Sequence, residues 1–168
     1  DAVSILREIK DFRSMNLNGR CGKLRLPYNV LPQESEADQK ISFIKENELD
    51  DLVSKIDLHH YTKVKEVYSK QLPIEKYTER DQSIISIGPV AFVPAEYEMF
   101  SSISLRLRDH SPFQYTLLLS NTNGYRGYMP SKDQIALGGY EVYSRKNEGA
   151  FVLTDDADDY FVESNLKI

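Results

Sequence analysis

The chain has 168 residues, a formal net charge of −5, 40% hydrophobic and 28% charged residues, one cysteine and three histidines. The length suffices for one domain with a real core and the composition is that of an ordinary globular protein. Net acidity argues against nucleic acid as a partner, which needs clustered Lys and Arg, and a lone Cys21 excludes an internal disulfide and any Cys-based zinc cluster.

No apolar run reaches the length of a membrane span, and no signal-peptide pattern opens the chain. An opening at Asp1 without methionine fits a mature product or an excised piece.

In chain order, Ile5, Leu6, Ile9 and Phe12 fall at helical spacing and predict an amphipathic helix over residues 2 to 14. Asn16 to Gly22 reads as a turn-rich connection. Leu24, Leu26, Tyr28 and Val30 alternate as in a half-buried strand that Pro32 closes. From Ser35 the chain turns helical and highly charged. Ser35 with Asp38 resembles a capping arrangement, and Ala37, Ile41 and Ile44 form a stripe that Leu49, Leu52, Val53 and Ile56 continue after a break. A further helix from Asp57 to about Gln71 turns Tyr61, Val64 and Tyr68 inward. Residues 35–72 thus read as a charged helical insertion or cover over a sheet.

Ser83–Ile87 and Val90–Val93 predict two strands joined tightly at Gly88-Pro89, the second ending in Pro94-Ala95-Glu96. Phe100, Ile103, Leu105 and Leu107 predict a helix ending near His110 and Pro112, followed by a Tyr115–Leu119 strand. Next comes a loop dense in glycine and tyrosine, Asn123 to Pro130. Ser131 is placed to cap a short helix that Gly138-Gly139 ends, and Thr154 a final helix whose start carries Asp155, Asp156, Asp158 and Asp159. The fold class is α/β, a mixed sheet with helices packed over it, in one domain of which residues 82–168 bear the motifs.

Three residues stand out for chemistry. Glu96 is a carboxylate at the end of an apolar strand, a position that tends to face a crevice and suits a metal ligand or general base, or simply a helix-start glutamate. Tyr128 and Tyr140 lie twelve residues apart on either side of residues 130–137. A phenol can donate to a developing oxyanion or, deprotonated, bind a metal; it can also merely pack. Adjacent His59 and His60 point different ways and do not chelate as an i, i+4 pair would. His110 with Ser101, Ser102 and Asp109 lacks a nucleophile elbow, and the acidic run at 155–159 lacks the pattern of a calcium loop.

The stretch Ile87-Gly88-Pro89-Val90-Ala91-Phe92-Val93-Pro94-Ala95-Glu96 resembles a segment of the neutral/alkaline, non-lysosomal ceramidases that ends in a strand and Pro-Gly-Glu. Asn123-Gly124-Tyr125-Arg126-Gly127-Tyr128-Met129-Pro130 and Gly139-Tyr140-Glu141 resemble that family's next block, in the same order and with the same separation of the two tyrosines. The resemblance implies that Glu96 and Tyr128 are ligands of a catalytic zinc and that Tyr140 contacts the scissile amide carbonyl. It also implies cleavage of an N-acyl bond, in ceramide or another lipid-like compound, by zinc-activated water.

The family's histidine ligands and substrate-contacting arginine have no counterpart here, Ala95 stands where glycine is usual, and the immunoglobulin-like domain is absent. The expectation is the C-terminal part of a ceramidase-like catalytic domain, inactive without its N-terminal part and holding zinc weakly or not at all alone. That missing part of the polypeptide is the expected partner, and a homodimer would be another way to cover apolar surface it leaves open. Members of the family are often secreted or membrane-associated. The alternative is a non-catalytic binding module on the same scaffold, working through the tyrosine loop.

Overall fold

The computed structural model describes residues 2–168. In chain order they form α1 (Ala2–Glu8), β1 (Leu17–Pro27), α2 (Glu34–Glu46), α3 (Leu52–Ser69), β2 (Tyr77–Ile87), β3 (Val90–Pro94) and β4 (Glu98–Met99). Beyond these lie α4 (Ser101–His110), β5 (Tyr115–Leu119), β6 (Tyr128–Met129), α5 (Lys132–Ile135), α6 (Tyr140–Ser144), a 3₁₀ turn (Arg145–Glu148) and α7 (Ala157–Lys167). The fold is mixed α/β.

Among the described residues, the main sheet has strand order β1-β2-β3-β5, and β4 pairs with β6 separately. β1 and β2 pair antiparallel along their full lengths, from Leu17 opposite Ile87 to Pro27 opposite Tyr77. Gly88-Pro89 turns β2 into antiparallel β3, and α4 carries the chain over to β5, which runs parallel to β3. Asn16 to Gly22, expected as a turn-rich connection, is instead mostly the first half of β1. Ser83 to Ile87 offers it a long pairing partner, and such tertiary pairing overrides the low strand propensity of Asn and Gly. Val30, expected within the strand, lies beyond it at 95% exposure.

One face of the sheet is covered: α7 packs on β1, α4 on β5, and the two helices on each other. Leu24, Leu26, Val93, Ile103, Leu107 and Phe161 close this core. Buried Gln82 ties its layers together, donating to the Pro94 carbonyl at 2.8 Å and to Asn165 Oδ1 at 2.7 Å. The opposite face is open, with Lys23, Arg25, Glu79 and Asp81 toward one end of the β1–β2 pair and an apolar patch on the rest. Leu17, Ile85, Ile87, Tyr115, Leu117 and Leu119 project from it, each at least about one-third exposed.

α2 and α3 pack on each other, and α3 also on the 3₁₀ turn and α6. Their core joins Leu31, Ala37, Tyr61, Val64, Val67 and Ala150. The predicted break falls at Asn47, but beyond it the chain forms one helix, α3, rather than a continued stripe and then a helix from Asp57. Ser35 lies inside α2 and does not cap it, and Gln33 at the N-cap makes no side-chain bond there; a side-chain cap forms instead on α3, where the Asp51 carboxylate accepts from the Ser54 amide at 3.1 Å. His60, on α3, is 4% exposed and meets the Gly149 carbonyl through Nδ1 at 2.8 Å. Burial holds its pKa below the ordinary 6.5.

Two further expectations give way at the chain's end. Neither Ser131 nor Thr154 caps a helix through its side chain. Asp158, in the acidic run at the start of the final helix, is 1% exposed, and its Oδ2 accepts from Arg106 Nη2 at 2.6 Å and from the Lys132 amide at 3.1 Å. It therefore caps α5 from a distant position. The N-terminal helix is also shorter than the apolar spacing predicts, and Ile5, Leu6, Ile9 and Phe12 are all exposed.

These burials set two expected outcomes. In urea denaturation Phe161→Ala costs about 3–5 kcal/mol, because a large side chain leaves a cavity, whereas Phe12→Ala stays within about 0.5 kcal/mol. For His60 the unfolded chain binds a proton below pH 6.5 that the folded chain refuses, so its stabilising effect is complete above pH 6.5 and declines below it. Melting temperature measured from pH 7.5 down to about pH 5 should fall less steeply in His60→Gln than in the parent.

Candidate functional site

The candidate site forms where β3 ends. The chain leaves Pro94, crosses Ala95 to Tyr97 and enters β4, and the loop after β5 is laced onto this segment by backbone hydrogen bonds. The Ala95 amide donates to Leu119 O at 2.9 Å, Thr122 N to Ala95 O at 2.8 Å, Arg126 N to Glu96 O at 2.7 Å and Glu98 N to Gly127 O at 2.8 Å. The short parallel pair then sets Glu98 beside Tyr128 and Met99 beside Met129. Two glycines allow the docking. A Cβ on Gly124 would stand 3.2 Å from Cγ and Cδ of Glu96, and Gly127 adopts φ +64° with Glu148 Oε1 only 2.8 Å from where its Cβ would lie.

Tyr128 and Tyr140 meet. Their rings touch edge to face, 5.8 Å between centroids and 78° between planes. Tyr128 is half-buried on β6, while Tyr140 opens α6 and is 51% exposed. Partial desolvation, then the nearby Glu98 carboxylate, pushes the Tyr128 phenol up from its ordinary pKa, so it keeps its proton and acts as a hydrogen-bond donor.

Glu96 is held by Arg126, of the loop that carries Tyr128. Arg126 Nε donates to Glu96 Oε2 at 2.8 Å, and Arg80 Nε lies 3.9 Å from the same oxygen, an ion contact too long for a hydrogen bond. Behind Tyr128 is a niche of about 100 Å³ lined by Tyr28, Tyr97, Arg126 and Glu148 among others. Glu96 opens instead onto a separate niche of about 20 Å³ with Arg80, Tyr97 and Asn123. Burial raises the Glu148 carboxyl above its usual range, with Arg126 opposing, and burial raises the Tyr97 phenol.

Arg126 and Glu148 escape notice in the sequence. Glu148 lies outside the blocks that carry the resemblance and gives no signal, and Arg126 reads only as a variable position between two tyrosines. Of the histidines, His59 is exposed, His60 is committed to Gly149, and His110 turns Nδ1 onto the Arg106 carbonyl of its own helix at 2.8 Å.

A zinc ion asks for about three protein ligands of the N, O or S type. Among the described residues no group of three or more His, Cys, Asp and Glu comes together to hold a metal. One carboxylate oxygen of Glu96 is taken by a guanidinium, and Tyr128 favours its protonated form. The residues of this chain do not by themselves fit zinc. They do supply a hydrogen-bond donor pair and a carboxylate, the equipment to bind and polarise a carbonyl-containing group. The Glu96–Arg126 pair is about one-third exposed, so solvent screens it. A double-mutant cycle with Glu96→Gln and Arg126→Gln should return a coupling of about 1 kcal/mol that shrinks in 1 M salt.

No protein-family model matches the chain, and no curated protein matches it. Two solved structures are similar to it. One is a ceramidase complexed with C2, with 17% identity, a TM-score of 0.42, and coverage of 53% of this chain and 15% of that one. The other is the neutral ceramidase from Pseudomonas aeruginosa, with 12% identity, a TM-score of 0.46, and coverage of 90% of this chain and 28% of that one. The matched region spans less than a third of either ceramidase.

Proposed function

We propose that this chain is the C-terminal part of a ceramidase-like, zinc-dependent amidohydrolase that cleaves an N-acyl bond, in ceramide or another lipid amide, and that it is inactive without its N-terminal part. The observation that carries this reading is that the three blocks lie against one another. The Glu96 segment and the Tyr128 loop share a backbone hydrogen-bond ladder, and Tyr128 and Tyr140 share a ring contact. These are the blocks on which the sequence resemblance rests.

In this reading Tyr140, half exposed at the start of α6, donates its phenolic proton in a hydrogen bond to the amide carbonyl oxygen. Such a bond strengthens as negative charge develops on that oxygen. Arg126 and Arg80 both approach Oε2 of Glu96, which leaves Oε1 for a further partner. Glu96 and Tyr128 are two of the metal's ligands, and the remaining ones come from the N-terminal part. Tyr125 and Leu137, 66% and 75% exposed on the loops that lead to Tyr128 and Tyr140, offer apolar surface to an acyl chain.

The Arg126–Glu96 ion pair favours the second reading, a binding module in which the carboxylate is a structural counter-ion and the tyrosines contact a partner. Metal analysis of the longer polypeptide separates the two. Near-stoichiometric zinc that drops in both Glu96→Gln and Tyr128→Phe is expected for the hydrolase. Tyr140→Phe should keep the zinc and lower kcat on an N-acyl sphingoid substrate by about 10²–10³-fold. A metal-free parent, under conditions in which a control metalloenzyme retains zinc, would leave the binding module standing.

A further inference from the structure

A second cleft lies at the other end of the sheet, under the N-terminal ends of β3 and β5. It has a built floor. Asn18, Ser86, Ala91 and Thr116 stand side by side across β1, β2, β3 and β5, all on the face that α4 and α7 cover. Farther along the strands that face carries Leu24, Leu26, Ile84 and Val93, which fill the space beneath the helices. In this row the side chains are small and the space stays open, leaving about 540 Å³ walled by Leu107, Phe113 and Leu166. That size lies within the range of small-molecule sites.

Polar groups share the lining with the apolar walls and differ in how far they are satisfied. Thr116 Oγ1 is satisfied by Ser111 Oγ at 2.6 Å, and Asn165 by Gln82 and the Phe161 carbonyl. Ser86 is 5% exposed and faces the cleft, yet none of the hydrogen bonds among the described residues involves its hydroxyl. The hydroxyl opens onto the cleft, where it can donate to a ligand. Two cations, Arg20 and Lys167, stand on the lining and no acidic side chain does, although the chain as a whole carries a net charge of −5. Arg20 Nη1 donates to the main-chain oxygen of Ile168 at 3.2 Å, and Lys167 Nζ lies 3.5 Å from Glu163 Oε2 in a solvent-exposed pair.

We propose that this cleft is a second ligand site that takes an apolar monocarboxylate. The aliphatic body packs against Ala91, Leu107, Phe113 and Leu166. The carboxylate meets Arg20 and Lys167, with the Ser86 hydroxyl donating to the ligand. The site is independent of the tyrosine loop and stands whether or not the chain belongs to an amide hydrolase.

Octanoate titrated calorimetrically into the 168-residue chain tests it, with octylamine as a probe of equal body and opposite charge. The expected result is saturable octanoate binding with Kd of about 0.1–1 mM, in keeping with the affinity a ligand of this size achieves. Octylamine should bind about tenfold or more weakly. Ala91→Leu fills the floor and should abolish binding. Arg20 is exposed, so Arg20→Glu reads the same site without disturbing the core and should raise Kd about tenfold. Leu117→Lys, on the open face of the sheet, should leave Kd unchanged. Equal binding of octylamine, loss of binding in Leu117→Lys with Arg20→Glu unaffected, or no saturation would each overturn the proposal. If Ala91→Leu alters the circular dichroism spectrum, Arg20→Glu decides.

Discussion

Everything at the candidate site depends on one backbone arrangement, the lacing of the loop after β5 onto the segment from Ala95 to Phe100. Parallel pairing of β3 with β5 brings the two strand ends level, so both chains leave the sheet together and must satisfy their amides and carbonyls. They do so on each other, through Leu119, Ala95, Glu96 and Gly127 and then through β4 and β6. Tyr128 is thereby placed without any contribution from its own side chain. Its ring then seats Tyr140, and the ladder brings Arg126 to Glu96. A loop held by its backbone tolerates side-chain change, and Arg126 sits at such a position.

The electrostatics of the region divide into two kinds. Around Asp158, one oxygen of a buried carboxylate, Oδ2, accepts from both Arg106 and the Lys132 amide, which ties α7, α4 and α5 together, while its Oδ1 is buried without a hydrogen-bond partner among the described residues. Such a group holds geometry because removing a partner strands a buried charge. Around Glu96 the pair with Arg126 is partly solvated, and the carboxylate keeps an oxygen open. The first arrangement suits a frame and the second suits a site that exchanges partners. Between them lies Gln82, whose amide fixes the Pro94 carbonyl just before the chain reaches Glu96.

Much of the motif-bearing half was legible in the sequence. The Tyr115–Leu119 strand forms as predicted, the Gly88-Pro89 hairpin forms, and α4 ends at His110. There the apolar spacing and the turn residues agree with the tertiary fold. The first half of β1 was illegible because its strand character comes from β2, about sixty residues on, and not from Asn18, Gly19 or Gly22. The caps failed for a related reason: Ser35, Ser131 and Thr154 have the right chemistry locally, but Asp158 reaches α5 across the fold and no short-range pattern encodes that. Glu96, Tyr128 and Tyr140 were singled out by position and resemblance. Their neighbours Arg126 and Glu148 were not, since ion pairs and burial exist only once the loop has docked.

The helices α2 and α3 enter and leave the sheet at a single point. Pro27 lies opposite Tyr77 at the end of the long β1–β2 pairing, and Tyr28 N donates to Lys76 O at 2.9 Å one step beyond. Seen from the sheet, everything between those residues occupies the place of a hairpin turn. The entropy of closing a loop grows only logarithmically with its length, so a long excursion at a strand tip burdens the pairing little more than a short one. The β1–β2 ladder therefore does not require the helical pair, and a short reverse turn would connect the same strands in the same register. Chain length at that tip is free to vary without changing the β1–β2 register, whereas the packing of α3 on α6 and the 3₁₀ turn does depend on what the excursion contains.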